Sequence, residues 1–270
     1  MNLEAAAAYA ERHGLEALLV QREDETLFER YAAGLGAHKP HALYSGTKSF
    51  WGPVALAAEE DGLLSLDEPV GATFASWNAG LKARVTLRQL LALTSGIGFG
   101  GLGSAVPSYE KALAVELKNQ PGAVFTYSGI PLQVFGAVLA EKLGPRNLTP
   151  HEYLQSRVLD RAAVKVGSWR TLASGTKPLP TGAFVAATEW AKYGRFVLAT
   201  PSLATCFAGS SVNPKYGLGW WLGSDGVAYA SGSGGQALYL IPNERAVVVK
   251  FGRSSSYKHD AFLKRLLTGG

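Results

Sequence analysis

One cysteine stands in 270 residues, Cys206, so no disulfide can form within the chain. A lone thiol in a sequence of this kind reads as a small buried hydrophobe. Histidine is also scarce. His13, His38, His41, His151 and His259 are dispersed, with no HxH or HExxH pair, so no ligand set for a catalytic metal is visible. Charged residues make up 17% and hydrophobic ones 47%, the balance of an ordered globular protein and not a disordered one. The net charge of +5 comes from scattered Lys and Arg with no basic run, which gives no nucleic-acid footprint. No apolar stretch approaches transmembrane length. Met1 to Ala8 carries an acid where a signal peptide has positive charge, and its apolar run is too short for one. The expectation is a cytoplasmic protein without a membrane partner. Internal repeats, low-complexity linkers and a G-x-S-x-G elbow are absent too, the last arguing against an α/β-hydrolase.

What is present centres on Tyr44-Ser45-Gly46-Thr47-Lys48, where a loop runs into the apolar helix from Phe50 to Glu60. Positions i and i+3 share a helix face, so the Ser45 hydroxyl and the Lys48 amine can meet. Unpaired N–H groups at a helix start favour developing negative charge. Serine becomes a nucleophile when a base takes its proton, and lysine serves as that base when desolvation lowers its pKa. The plain alternative is a Ser N-cap followed by a surface lysine. His41, four residues upstream, lies in a loop with no fixed geometry toward Ser45.

Local patterns order the rest. Residues 3–13 read as a helix. Leu15 to Val20 and Glu25 to Tyr31 read as a hairpin about a polar turn, Gln21 to Asp24. Helical periodicity dominates from about Phe50 to Lys177. It includes an amphipathic turn from Thr86 to Leu93, a helix from Tyr109 to Leu117, one from Pro131 to Leu143, and further helices over 150–159 and 187–199. The GxGxxG of Gly98 to Gly103 follows a helix and not a strand, so it reads as a loop walling a cleft, not a dinucleotide fingerprint. After Pro214 four strand patterns follow: Tyr216–Trp221, Val227–Ala230, Ala237–Ile241 and Ala246–Lys250. Tyr257 to Leu267 closes as a helix. Trp220 and Trp221 fit either a cleft wall or a strand alternating between core and surface.

Taken together, Ser45-Gly46-Thr47-Lys48, Leu66-Asp67-Glu68-Pro69-Val70, Val85 to Gly96 and Gly122 to Ser128 occur in an order that resembles the serine β-lactamase and penicillin-binding-protein superfamily. The chain is most similar to its class C-related branch of esterases, D-amino-acid peptidases and 6-aminohexanoate-dimer hydrolases. The resemblance implies an α+β fold, an antiparallel sheet flanked by helices with an inserted helical domain. Residues 1–270 would form a single catalytic unit, with an α/β part at about 1–60 and 183–270 and a helical insert at about 61–182. It implies Ser45 as acylated nucleophile and Lys48 and Tyr127 as proton-handling groups, with either as the base. The backbone N–H groups of Ser45 and Ser233 would form the oxyanion hole, and Ser231 and Gly232 would lie along the substrate. No metal or cofactor is implied, and the partner would be a small ester or amide. The chain departs from the superfamily pattern at two points. Ala230 replaces the basic residue of the third motif, and Gly129 replaces an asparagine of the second. Both put efficient β-lactam hydrolysis in doubt. The remaining alternatives are a D-amino-acid peptidase and a non-catalytic ligand-binding protein on the same fold.

Overall fold

The computed structural model describes residues 1–98, 100 and 103–268. Its spine is a six-stranded antiparallel sheet whose strands lie in the order Glu25–Tyr31, Leu15–Arg22, Ala246–Gly252, Gln236–Ile241, Ala228–Gly232 and Trp221–Leu222, so both ends of the chain build one sheet. The hairpin of β1 (Leu15–Arg22) and β2 (Glu25–Tyr31) supplies one side, after the helix α1 (Leu3–Arg12). β6 (Trp221–Leu222), β7 (Ala228–Gly232), β8 (Gln236–Ile241) and β9 (Ala246–Gly252) supply the other, and α8 (His259–Thr268) ends the chain. Side chains alternate across a strand, and the two faces sort accordingly. Leu18, Val20, Tyr239 and Val248 pack beneath α1 and α8 with Ala6, Ala10, Phe262 and Leu266. Leu19, Leu238, Leu240, Val247 and Val249 face the opposite way into the main core. β9 is buried at every residue, which is why Ala246 to Val249 is a continuous apolar run.

Between these halves come α2 (Trp51–Glu60), α3 (Leu87–Leu91), α4 (Tyr109–Leu113), α5 (Ile130–Leu143), α6 (Pro150–Leu154) and α7 (Ala187–Leu198). Thr86 caps α3 through a reciprocal box with Gln89. α5 is apolar nearly all round and correspondingly buried from Ile130 to Leu139. Several boundaries differ from the sequence expectation. The strand expected over Tyr216–Trp221 reduces to Trp221–Leu222 plus a single bridge from Tyr216 to Trp221. The helix expected to Leu117 stops at Leu113, and that over 150–159 loosens after Leu154 into a π-helical turn. A small second sheet, β3 (His41–Ala42), β5 (Ala183–Val185) and β4 (Ser168–Trp169), has no period long enough to be read from the sequence. Of the GxGxxG segment, Phe99, Gly101 and Leu102 lie outside the described residues. Among the described residues no helix is long and apolar enough to cross a membrane.

Candidate active site

Ser45 lies on a 3-10 helix, Tyr44–Phe50, that leads directly into α2, and not on the first turn of an α-helix. With three residues per turn, i and i+3 eclipse, which aligns Ser45 with Lys48 more closely than an α-helix would. Tyr44, immediately before, holds a left-handed backbone at φ 47°, an uncommon conformation for a residue with a side chain. The segment is pinned on several sides. The Ser49 hydroxyl donates to the Gly46 carbonyl at 2.7 Å, and the Tyr193 hydroxyl donates to the Ser49 carbonyl at 2.7 Å.

Lys48 Nζ lies 2.9 Å from Ser45 Oγ and 3.3 Å from the Pro180 carbonyl oxygen. That carbonyl is itself held in place. The neighbouring Leu179 N–H donates to Gln133 Oε1 on α5 at 2.9 Å, and the Leu179 carbonyl accepts from the Trp51 indole at 2.6 Å. Lys48 is buried at 4% exposure, and burial alone lowers its pKa to about 7. Its Nζ stands 4.8 Å from the centre of the Tyr127 ring. Tyr127 shifts the opposite way. Burial raises its phenol, while hydrogen bonds with Ser45 and the Trp221 indole oppose the rise in part. A largely dehydrated amine that is partly neutral near pH 7 thus sits beside a phenol that stays protonated.

Ser45, Lys48, Tyr127 and Ser233 line one cavity of about 360 Å³, together with Gly129, Arg170 and Pro180. On the β7 side, Ser45 and Tyr127 also border a second cavity of about 660 Å³, walled by Trp221, Tyr229, Ser231, Gly232 and His259. The structure therefore brings Ser45, Lys48, Tyr127, Ser231, Gly232 and Ser233 to two cavities that share Ser45, Tyr127 and Ser233, whereas Ala230 lines neither and packs in the main core. His41 does not line either cavity; its ring stacks on Phe251 at 4.4 Å and its Nδ1 lies 3.4 Å from Glu16. Cys206 is fully buried, and burial pushes its thiol up. Trp220 points into the core against Phe207, whereas Trp221 stacks on Tyr127 with ring centres 5.5 Å apart.

Two glycines mark close approaches. At Gly129 a Cβ would sit 3.1 Å from the Pro180 ring, so an asparagine there would press on the loop that carries the Lys48 acceptor. At Gly232 a Cβ would fall 2.1 Å from the Leu43 carbonyl oxygen, because β7 packs directly on the backbone that delivers Ser45. Arg170, Tyr229 and His259 were not singled out from the sequence. They reach the cleft from distant segments, and no local spacing signals them.

The sequence model of the family described as Beta-lactamase matches residues 4–267. The chain belongs to the β-lactamase family. Solved structures agree in fold. A Bacillus anthracis protein provisionally named a 6-aminohexanoate-dimer hydrolase superposes with a TM-score of 0.80 at 18% identity, covering 97% of this chain and 80% of the other. A D-stereospecific amidohydrolase from a Streptomyces species gives 0.74 at 16%, covering 100% and 99%. EstCE1, titled a hydrolase with promiscuous acyltransferase activity, gives 0.75 at 14%, covering 96% of each chain. At such identities the likeness is one of fold. Among curated proteins no sequence matches.

Proposed function

We propose that this member of the β-lactamase family is a serine hydrolase that forms a covalent acyl-enzyme on small esters or amides, within a single catalytic unit. The observation that carries the reading is the 2.9 Å approach of a buried, partly neutral amine to the Ser45 hydroxyl in an open cavity. Lys48 takes the Ser45 proton as Oγ attacks the acyl carbon. The backbone N–H groups of Ser45 and Ser233 receive the oxyanion. Ser45 is the second residue of its helix, so its N–H has no acceptor within that helix. The Ser233 N–H has no backbone acceptor among the described residues, and both serines border the same cavity. As the tetrahedral intermediate collapses, Tyr127 donates its proton to the leaving oxygen or nitrogen and regains one from the Lys48 ammonium. Water then attacks the ester at Ser45 by the reverse proton path and releases the acid. With Ala230 and Gly129 in place of polar side chains, β-lactams are expected to be poor substrates.

The test is intact mass after brief exposure to a fluorophosphonate, for the wild type and Ser45→Ala. One adduct on the wild type and none on the variant is the expected result. A folded wild type that takes no adduct would replace this reading with a ligand-binding role.

The pH dependence follows from the same pair. Lys48 acts as base only when unprotonated, so log(kcat/KM) for an ester should rise with slope near 1 below about pH 7 and level off above it. Tyr127 acts protonated and its phenol is raised, so no fall is expected up to about pH 9. A profile that instead declines between pH 6 and 8 would exclude Lys48 as the base.

A further inference from the structure

The second cavity beside Ser45 carries a line of hydrogen bonds that the proposed chemistry does not use. Tyr257 Oη lies 2.8 Å from Tyr239 Oη, Tyr239 Oη lies 2.7 Å from His259 Nδ1, and His259 Nε2 lies 2.8 Å from Ser231 Oγ. Its polarity can be worked out from the buried end. The Tyr257 hydroxyl has no partner other than Tyr239 among the described residues, since Lys250 Nζ sits over the Tyr257 ring face at 3.9 Å. If Tyr239 donated to Tyr257, the Tyr257 proton would be a buried donor with no acceptor, the costlier arrangement. Tyr257 therefore donates to Tyr239, and the Tyr239 proton goes to His259 Nδ1. Burial, with Lys250 nearby, lowers the His259 pKa to about 4, so the ring is neutral and carries its single proton on Nε2. That proton is donated to Ser231 Oγ. The Ser231 proton then has no acceptor among the described residues, and its side chain borders the cavity.

The surroundings define what such a donor would meet. Trp221 and Tyr229 present aromatic rings, and Tyr229 stacks on His259 at 4.7 Å. No Lys, Arg, Asp or Glu is among the described residues lining this cavity. A carboxylate would find no cationic side chain to contact among the described lining residues, whereas a neutral carbonyl needs only one well-directed donor.

We propose that the Tyr257–Tyr239–His259 relay fixes Ser231 as a hydrogen-bond donor in a substrate subsite, which takes a flat apolar group bearing a neutral carbonyl oxygen. His259 and Tyr239 are positioning residues in this scheme. The subsite rests on the hydrolase reading, but the relay itself does not.

Two measurements on the full chain test the proposal. Two-bond ¹H–¹⁵N correlations of ¹⁵N-histidine-labelled protein at pH 7 report the tautomer. The expected result is Nε2–H at His259 in the wild type, with loss of that single tautomer in Tyr239→Phe, which keeps the ring packing. An Nδ1–H ring in the wild type would overturn the relay. The second measurement compares KM for the p-nitrophenyl esters of 4-acetylbenzoate, 4-ethylbenzoate and 4-carboxybenzoate. The acetyl ester should show the lowest KM, about fivefold below the ethyl ester. That ratio should fall toward 1 in Ser231→Ala and in Tyr239→Phe, and survive in Ser231→Thr. A ratio unchanged in Ser231→Ala, or a preference for the carboxylate, would overturn the subsite. Absence of Ser45-dependent turnover would instead refute the hydrolase reading and with it the subsite, while the tautomer still decides the relay.

Discussion

Lys48→Met is expected to lower kcat/KM for a p-nitrophenyl ester by about 10³-fold or more while making the protein more stable at pH 6. The two effects have one cause. Burial lowers the amine from 10.5 to about 7, and no carboxylate stands beside it to offset the loss of water. Because the unfolded chain binds this proton more tightly, folding is opposed by on the order of 5 kcal/mol whenever the pH is below the folded pKa. The penalty shrinks as pH rises from about 7 and disappears near 10.5, where the unfolded amine is also neutral. Methionine keeps most of the apolar stem and carries no charge. The gain in melting temperature should therefore be greatest below pH 7, up to about 10 °C for a chain of this size, and vanish toward pH 10. Thermal unfolding of both proteins across pH 5–10, with ester kinetics at pH 8, checks it. Activity within tenfold of wild type would remove Lys48 from the chemistry. A stability gain that grew with pH would contradict the burial argument. A destabilising group kept in a cleft is the pattern expected where function is held at the expense of stability.

The second large effect belongs to Gly232, and it is expected in folding as well as catalysis. A methyl group at this position would lie 2.1 Å from the Leu43 carbonyl oxygen, and 3.2 Å from Gln236 Cβ. Neither neighbour can yield easily. The Leu43 N–H is bonded to the Ala183 carbonyl at 2.9 Å, and Gln236 Nε2 donates to the Ser233 and Gly252 carbonyls at 3.0 and 2.6 Å. Gly232→Ala must push β7 away from the segment bearing Ser45, at a cost of about 3 kcal/mol or more. At about 2 °C per kcal/mol for a chain of this size, that corresponds to a melting temperature lower by roughly 6 °C or more. Displacing β7 also moves the Ser233 N–H relative to Ser45, and kcat should fall about 10²-fold. A variant that melts within 2 °C of wild type, on the order of 1 kcal/mol or less, would show that the contact is soft. Gly232 thus shapes the cleft through its backbone and the absence of a side chain, and not by touching a substrate through one.

Much of this protein is legible locally. The hairpin of β1 and β2, α1, α5, α7, and the strands β8 and β9 follow from periodicity, because each buries one face or lies wholly in the core. The Thr86–Gln89 box and Pro131 at the start of α5 mark helix boundaries through chemistry confined to a few residues. The boundaries that shifted, at Leu113, Leu154 and Trp221, are places where tertiary packing overrides a weak local preference.

The cleft divides in the same way. The sequence alone determined that Ser45 and Lys48 share a helical face, that Tyr127 precedes an apolar helix, and that positions 129 and 230 carry Gly and Ala, without polar side chains. Those are properties of neighbours along the chain. Only the tertiary structure decided that Lys48 is dehydrated and Tyr127 protonated, since a pKa depends on what encloses a group. It also decided that His259, 28 residues from Ser231, closes a relay through Tyr239. And it decided that Gly232 must lack a side chain, because Leu43 reaches it from across the fold. Burial and hydrogen-bond polarity arise when distant segments meet, and no local period in the sequence encodes such a meeting.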